Sequence, residues 1–286
     1  MIRHDPQEVR EKLASRVVVA SISGGKDSAA MSLYLTELGV EHRRVFADTG
    51  WEHALTYKYL RGPLTAHIGA IDEVRGPRPM DDLIRHKKMF PARIKRFCTE
   101  HLKVKPLQAY FLALSAEDDY VNAIGIRRGE SVARAAAVEW EWSESFDCEV
   151  WRPLVEWTET DVIEIHRRHG LPPNPLYLMG ARRVGCWPCI FASKAEISLV
   201  AEHDPARIDT IRALEAETNA SRMATFSARG EMMRYPATFF TLRPDGKTHV
   251  AAPIDAVVEW ARESGPEQPT LFDEGCMRWG LCDTTE

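Results

Sequence analysis

The chain has 286 residues, of which 44% are hydrophobic and 28% charged, with a formal net charge of −5 at pH 7. A chain of this length buries a core without disulfide support, and no stretch approaches the ~18 consecutive apolar residues that a membrane span requires. This composition excludes a protein that is basic throughout and favours a soluble one. The polar stretch 1–16 predicts no signal peptide, so we expect a cytoplasmic protein.

Apolar runs alternate with helical patterns along the first two thirds of the chain. Val17–Ile22 has no polar alternation, which is typical of a strand buried on both faces, and a helical pattern from Ala30 to Leu38 follows it. Further strands are predicted at Arg44–Ala47, Leu64–Ile71, Tyr120–Ile126 and Val150–Trp157, and further helices at Val104–Leu114, Asp161–His169, Lys194–Ala201 and Pro205–Glu217. The alternation predicts an α/β fold with a doubly wound, mostly parallel sheet.

Patterns typical of strands are weak after Cys189. Helical stretches follow, and the tail after them carries the last two cysteines. We therefore predict two domains: a sheet domain that binds a nucleotide over 1–192, and a mainly helical C-terminal extension over 193–286.

The stretch SISGGKDSAAM, at 21–31, lies between the first strand and the first helix of the sheet. Paired glycines let backbone N–H groups approach a ligand closely, and the helix N-terminus that follows favours an anion. An aspartate beside bound phosphates makes sense if it holds a divalent cation. The stretch therefore predicts a nucleotide polyphosphate with Mg²⁺, the alternative being a serine-capped turn without a ligand. The predicted contacts are Ser21, Ser23, Gly24, Gly25, Lys26, Asp27 and Ser28.

SGGKDS lacks the Walker spacing and resembles the pyrophosphate loop (PP-loop) of the ATP α-hydrolases. Four later blocks resemble the phosphoadenosine phosphosulfate (PAPS) reductase family, in that family's order: FADTG at 46–50, FCTEHLKVKPL at 97–107, GIRRGESVAR at 125–134 and NPLYLMGARRVGCWPC at 174–189. The resemblance covers roughly residues 15–195. It implies an adenine nucleotide α-hydrolase fold of Rossmann-like type and cleavage of ATP between its α- and β-phosphates.

The same resemblance implies a set of nucleotide contacts beyond the loop. It places adenosine near Asp48 and Thr49, and phosphate or sulfate at Gly125, Arg127, Arg128 and Arg134. Arginine's planar fork suits that task, although solvation at the surface is the alternative for Arg127 and Arg128. The residues predicted to be catalytic are Lys26, Asp27 and Arg127.

Six cysteines in a reducing compartment favour metal ligands or reactive thiols over disulfides. The CxxC at Cys186 and Cys189 alone fits a redox pair, a zinc half-site or an iron–sulfur half-site. The block around Cys98 resembles one in the assimilatory adenylyl sulfate reductases, where two adjacent cysteines and a later CxxC bind a [4Fe–4S] cluster. Here Thr99 replaces the second cysteine.

The resemblance therefore implies a [4Fe–4S] cluster whose fourth ligand comes from the tail. The predicted ligands are Cys98, Cys186, Cys189 and Cys282, with Cys276 as the other candidate for the fourth position. Zinc and free or redox thiols remain the alternatives. Cys148 is expected to be a buried apolar residue.

Two departures from the reductases bear on function. The loop keeps its lysine and aspartate, as ATP-cleaving relatives do, and the tail has GLCD where the reductases carry an ECGLH-type segment with a nucleophilic cysteine. The combination resembles iron–sulfur proteins of DNA phosphorothioation and tRNA thiolation. It implies an enzyme that adenylates a substrate for sulfur transfer. The alternatives are a PAPS or adenylyl sulfate reductase that releases sulfite, and a non-catalytic nucleotide-binding subunit with a structural cluster.

The segment from Arg85 to Lys105 carries eight basic residues and one acidic residue, a net +7 that leaves −12 for the rest of the chain. It is either a solvated helix face or a binding surface for a polyanion, which includes nucleic acid. The proposed partners are an adenine nucleotide, a nucleic acid at this segment and a sulfur-donor protein, either a cysteine desulfurase or a thioredoxin. For His166 we expect only a favourable charge at a helix end, and for Trp140, Trp142, Trp151 and Trp157 core positions.

Overall fold

A six-stranded sheet in the order β3-β2-β1-β4-β6-β5 forms the centre of the protein. The structure, a computed structural model, describes residues 3–114, 119–242, 247–263 and Trp279. The strands are β1 Arg16–Ile22, β2 His42–Asp48, β3 Asp72–Arg75, β4 Asp119–Ile124, β5 Trp140–Ser143 and β6 Cys148–Trp151. All neighbouring strands run parallel except β5, which pairs antiparallel with β6. The predicted fold class is confirmed.

Helices cover both faces of the sheet and connect the parallel strands. Those up to residue 178 are α1 Pro6–Leu13, α2 Lys26–Glu37, α3 Ala54–Tyr59, α4 Thr65–Ile68, α5 Met80–Lys87, α6 Phe97–Thr99, α7 Lys105–Ala113, α8 Glu159–Arg168 and α9 Pro175–Leu178. The π-helical turns Leu60–Leu64 and Glu100–Val104 precede α4 and α7, and short 3₁₀ turns follow β4 at Arg128–Glu130 and Val132–Arg134. Helix α2 packs in the main core, where the side chains of Met31, Tyr34 and Leu35 are fully buried.

The C-terminal extension is mainly helical, as predicted. It contains α10 Lys194–His203, α11 Pro205–Ser227 and α12 Ile254–Glu263, with a small antiparallel pair, β7 Phe240–Leu242 and β8 Val250–Ala252. These helices share a second core with Trp51, Met80 and Ile84. The domain boundary at 192 stays a prediction.

Two predicted strands are corrected by the structure. Leu64–Ile71 is mostly helical, because Leu64 and Ile68 are four residues apart and therefore share one buried helix face. The predicted strand Val150–Trp157 ends at Trp151, since Pro153 cannot donate to a ladder.

The tryptophan predictions hold for three positions out of four. Trp151 and Trp157 are buried, and Trp140 stacks on Trp151 with ring centroids 5.1 Å apart. Trp142 is 54% exposed on the edge strand β5, where it lies opposite Glu149, so its core prediction is wrong. No helix in the described ranges is long and apolar enough to cross a membrane.

Candidate functional site

The PP-loop joins the end of β1 to the start of α2 and is closed by its own serines. Ser28 Oγ lies 3.1 Å from Ser23 Oγ, accepts from the Ser23 N–H and donates to the Gly25 carbonyl at 3.0 Å. Gly24 has a φ of +75°, a backbone conformation that residues with a side chain rarely adopt. These bonds fix the turn, so that the N-terminus of the twelve-residue helix α2 lies at the carboxyl edge of the sheet.

Gly125 brings the end of β4 against this loop. A Cβ there would lie 2.6 Å from the Asp27 carbonyl oxygen and 3.0 Å from the Ser28 nitrogen, both backbone atoms. No side chain fits without moving the loop. Gly125 is therefore a packing requirement of the PP-loop.

Lys26 is held at its backbone and at its ammonium group. Its N–H donates to the Tyr177 hydroxyl at 3.0 Å, and its carbonyl accepts from His166 Nε2 at 2.9 Å. Its Nζ lies 3.2 Å from Glu159 and 4.9 Å from the centroid of the Tyr177 ring. Burial lowers the pKa of His166, which keeps the imidazole neutral. The expectation that His166 only places charge at a helix end is therefore wrong.

The predicted anion-binding arginines are each paired with a carboxylate. Arg127 is 6% exposed, and its Nε lies 2.5 Å from Asp27. Arg128 pairs with Glu156. The third, Arg134, pairs with the same Glu130 that lies 3.8 Å from Arg127. A polyanion that bound these guanidinium groups would therefore have to displace their carboxylate partners.

One cleft of about 1150 Å³ lies in front of the loop. Its walls combine the PP-loop, the turn after β4 and the CxxC segment. Predicted site residues in its lining are Ser21, Ser23, Gly25, Lys26, Asp27, Ser28, Gly125, Arg127, Arg128, Arg134, Cys186 and Cys189. The residues predicted to bind phosphate and two of the predicted ligand cysteines therefore face the same space.

Asp48 and Thr49 lie at the end of β2, outside the lining of that cleft. Asp48 faces a smaller cavity of about 280 Å³, where it accepts from the Tyr57 hydroxyl at 2.6 Å and pairs with Arg75 at 2.5 Å. Thr49 is 1% exposed and donates to Glu52 at 2.7 Å. Their contact with adenosine stays a prediction.

Three of the predicted ligand cysteines lie in one neighbourhood. The backbones of Cys186 and Glu52 form an isolated antiparallel β-bridge, and Trp51 Nε1 donates to the Pro188 carbonyl at 3.1 Å. These contacts attach the CxxC segment to the loop after β2. Burial raises the pKa of the Cys98 and Cys186 thiols, and the charge of Cys189 raises both further.

The described residues do not by themselves form a metal site. Within the described ranges, no group of three or more histidine, cysteine or acidic side chains is arranged to hold a metal ion. The candidates for the fourth ligand, Cys282 and Cys276, lie outside the described residues. The fold thus brings three sulfurs into one place without showing a ligand set. Cys148 is 2% exposed in the core, as expected.

A family model for the phosphoadenosine phosphosulfate reductase domain matches residues 17–192, more than half of the sequence. The chain belongs to this family. A protein of Escherichia phage 186, described only as an uncharacterized 37.8 kDa protein, is 32% identical over 82% of this chain and 84% of its own length. An adenosine 5'-phosphosulfate reductase from Allochromatium vinosum is 35% identical over 35% of this chain and 36% of its own length.

The fold of this PAPS reductase family member resembles a solved one. The PAPS reductase of Candida auris, crystallised as a phosphate complex, superposes with a TM-score of 0.52 at 18% identity, over 66% of this chain and 91% of that one. At this identity the likeness shows the fold alone.

Sequence reasoning missed several residues that hold the family's loop. Tyr177, His166 and Glu159 contact Lys26 from α8 and α9, and Asn174 donates to the Gly24 carbonyl at 3.1 Å. The NPLY start of the fourth block contained Asn174 and Tyr177 as a signal. His166 and Glu159 gave none, because only the fold brings α8 to the loop.

Lys103 is the missed cation of the cysteine neighbourhood. It lines the cleft, and attraction to the Cys186 thiolate raises its pKa, with smaller contributions from Glu52, Cys189 and Cys98, although burial lowers it. Sequence analysis counted it only as one charge of the basic segment. An ammonium group at this position favours negative charge on the sulfurs.

The rest of the basic segment divides into paired and unpaired cations. Arg85 pairs with Asp81 and Glu217 at 2.7 and 2.8 Å, and Lys105 with Glu100 at 2.7 Å. Lys88 donates to the Thr225 hydroxyl. Four other exposed cations of the segment have no carboxylate within ion-pair distance in the described ranges: Lys87, Arg93, Lys95 and Arg96. This unpaired set, which we call the basic loop, precedes Cys98 directly.

Proposed function

We propose that this family member binds ATP at the PP-loop and adenylates an oxygen of its substrate, which then accepts sulfur. The observation that carries the proposal is the shared cleft, in which Lys26 and Asp27 face the same space as Cys186 and Cys189. A phosphate-binding turn and a pair of thiols on one cleft suit a reaction that couples nucleotide cleavage to sulfur chemistry.

The first step transfers AMP. The substrate oxygen attacks the α-phosphorus of ATP, a new P–O bond forms, and the bond between the α-phosphorus and the bridging oxygen breaks to release pyrophosphate. In the second step the outer sulfur of a donor-protein persulfide attacks the substrate atom that holds the adenylated oxygen, a bond from that atom to sulfur forms, and AMP leaves with the oxygen. A thiol of the thioredoxin class then attacks the donor sulfur of the resulting S–S bond, which releases the thiolated substrate and leaves a disulfide between the thioredoxin and the donor.

The chain's own residues have distinct tasks in the first step. The first-turn amides of α2 and the Lys26 ammonium group bind the β- and γ-phosphates. Asp27 would hold Mg²⁺, which would offset the charge of the phosphates, and Arg127, the present partner of Asp27, would then be available to bind phosphate. Because the Lys26 backbone is fixed on both sides, its ammonium group is preorganised for charge that develops on the departing pyrophosphate.

The experiment that tests this step is pyrophosphate release with ATP and Mg²⁺ in the presence of nucleic acid or sulfate. Lys26→Ala should lose at least about 100-fold in rate, as removal of one preorganised charge contact does elsewhere. Lys58→Ala, which removes an exposed lysine from α3, serves as the matched control. No release by the wild-type protein with any of these substrates would overturn the proposal.

We also propose a [4Fe–4S] cluster held by Cys98, Cys186, Cys189 and Cys282. Such a group would supply a sulfur-ligated redox centre beside the cleft. Anaerobic purification followed by iron and zinc quantification tests it. Cys98→Ser should lose most of about four irons per chain, whereas Cys148→Ser, in the core, should keep them. Zinc in place of iron, or no metal, would contradict the cluster.

We propose a nucleic acid as the sulfur acceptor, with the basic loop as its binding surface. Lys87, Lys95 and Arg96 line a groove of about 380 Å³. At the tip of the loop Ile94 is 99% exposed, and an apolar tip among cations suits contact with bases beside a phosphate backbone. Phe97, which also lines the groove, directly precedes Cys98 in the chain, so a strand bound there would lie near the proposed sulfur ligands.

Charge reversal tests the acceptor. The Arg93→Glu/Lys95→Glu variant should weaken binding of a 20-base-pair DNA or an unmodified tRNA at least about tenfold and reduce the salt dependence by about two phosphate contacts. Lys58→Glu/Arg229→Glu makes the same change in formal charge on other surfaces and should leave binding unchanged. Equal loss in both variants would show a non-specific field effect and exclude this surface.

A reductase is the second candidate, favoured by the local identity to proteins named adenosine 5'-phosphosulfate reductase. In that case adenylyl sulfate or PAPS is the substrate, and a thiol of this chain attacks its sulfur. Sulfite release that depends on thioredoxin would establish the reductase. Pyrophosphate release from ATP without sulfite would favour adenylation.

A further inference from the structure

The side chain of Trp279, near the end of the chain, is buried against the wall that holds the PP-loop. It is 4% exposed and packs with Ile163, Tyr177 and Val184 in a small cluster separate from the main cores. The Arg167 guanidinium donates to its carbonyl at 3.3 Å. Two of these neighbours, Tyr177 and Val184, also line the cleft, so the indole lies directly behind the cleft wall.

The indole touches both side chains that fix the Lys26 backbone. Its centroid lies 5.2 Å from that of His166, at an interplanar angle of 77°, and 5.8 Å from that of Tyr177. His166 binds the Lys26 carbonyl and Tyr177 binds the Lys26 N–H. The pair with His166 is edge-to-face and the pair with Tyr177 is tilted, and aromatic pairs at these distances stabilise packing beyond their buried area.

We propose that Trp279 is a positioning residue for the PP-loop, through which packing of its indole against His166 and Tyr177 is coupled to nucleotide binding. The inference rests on the proposed binding of ATP at Lys26. With the indole in place, Tyr177 and His166 hold the Lys26 peptide in the orientation that places its ammonium group in the cleft. Without the indole, both rings gain rotational freedom, and the ligand must restore the order that docking otherwise provides.

Coupling of this kind is reciprocal. If a docked Trp279 raises the affinity for ATP by some factor, bound ATP favours docking of Trp279 by the same factor. A purely structural role in the core predicts lower stability but no response of the indole to the nucleotide. The two roles therefore differ in an observable besides activity.

Affinity for ATP is the first test, measured by isothermal titration on the full chain. Trp279→Ala should raise the Kd for ATP about tenfold, and Trp279→Phe, which keeps a ring against Tyr177, should restore most of it. Trp142→Ala, at an exposed tryptophan, is the matched control and should bind ATP as the wild type does. If Trp279→Ala binds ATP with the wild-type Kd, the inference is overturned.

The second test is measured on the wild-type protein, and a variant serves only to assign the resonance. Protein labelled with 5-fluorotryptophan gives one ¹⁹F resonance for Trp279, assigned through Trp279→Phe. This resonance should shift or sharpen on addition of ATP and Mg²⁺, while that of Trp142 stays fixed. A Trp279 resonance that ignores bound ATP overturns the inference alone, whereas a wild-type protein that binds no ATP overturns the proposed function as well.

Discussion

The two walls of the cleft are built in different ways. The PP-loop wall is one continuous stretch of chain, in which strand, turn and helix follow each other and the serines close the turn. The cysteine wall is assembled from distant segments: Cys98 precedes α7, and the CxxC segment attaches to the loop after β2 through Trp51 and Glu52.

The two walls therefore depend on different interactions. The turn of the PP-loop wall is specified by local sequence, and contacts from β4, α8 and Asn174 hold it in place, so small changes in the turn should act directly on the proposed nucleotide binding. The sulfur-bearing wall depends on long-range packing of loops, so it should open locally without loss of the fold. The variants below test that separation.

The largest effect is expected from Gly125→Ala. The added Cβ would lie 2.6 Å from the Asp27 carbonyl oxygen, so the loop must shift. Since small misplacements of binding groups lower rates severely, pyrophosphate release should fall at least about 100-fold. Gly129→Ala, in the same block but with open space around it, should stay within about twofold. Full activity of Gly125→Ala would show that the loop geometry does not control the reaction.

A smaller loss is expected from Arg127→Gln. Arg127 is buried against Asp27, so its removal leaves a carboxylate without its partner beside the phosphates. The rate of pyrophosphate release should fall about 10- to 100-fold. Arg128→Gln removes a more exposed arginine, the partner of Glu156. Its rate of pyrophosphate release should fall less than about threefold. Equal losses would show that both arginines bind the ligand directly, as the family resemblance alone implies.

The same contrast explains what sequence reasoning could predict of the fold. Val17–Ile22 and the SGGKDS turn carry local signals, and β1 and α2 lie where they predict. Strand β3 is polar and lies at the sheet edge, so it has no apolar signal, and the apolar run Leu64–Ile71 before it carries the strand pattern instead. Strand β5 was missed because an antiparallel edge after β4 has no local signature.

At the site, the loop and the CxxC were visible as motifs, but their partners were not. Nothing in the sequence indicates that Glu159 and His166 of α8 reach Lys26, or that Lys103 lies beside the thiols. Those contacts depend on helix packing across the sheet. Similarly, the carboxylate partners of the three arginines come from different places in the chain, namely Asp27 in α2, Glu130 after β4 and Glu156 after β6.

Glu52→Gln tests the attachment of the cysteine wall. The Glu52 carboxylate is buried and accepts from the Thr49 N–H and hydroxyl, the Trp51 N–H and the Tyr57 hydroxyl. A glutamine amide turns one acceptor into a donor that faces other donors, at a cost of about 1–3 kcal/mol. The thiol of Cys186 should therefore react about tenfold faster with a thiol reagent.

The control for that measurement is Glu217→Gln, at an exposed ion pair of Arg85, which should leave thiol reactivity unchanged. Affinity for ATP should change less than about threefold in Glu52→Gln, because the PP-loop does not use this carboxylate. A parallel loss of ATP affinity would mean that the two walls form one cooperative unit and do not respond separately to mutation.

The smallest effect near neutral pH is expected at His42, which lies at the amino end of β2 and contacts neither wall. Burial lowers its pKa to about 4, and Arg44 lowers it too, although the bond to the Val40 carbonyl opposes this. The unfolded chain therefore binds the proton first as the pH falls below about 6.5. The contribution of neutral His42 to the free energy of unfolding should be fully present above that pH and decline towards pH 4. At pH 5 the free energy of unfolding should be lower by about 2 kcal/mol.

Urea unfolding between pH 7 and 5 measures this decline. His42→Gln, which keeps a polar group opposite Ser32, should be less stable at pH 7 but lose about 2 kcal/mol less over this range, whereas His67→Gln at an exposed position should keep the wild-type slope. Affinity for ATP relative to wild type should not change with pH in either variant, because His42 acts on the sheet and not on the loop. A pH-dependent difference in ATP binding would instead show that the loop senses the far end of β2, and the phosphate-binding wall would then not be a local structure.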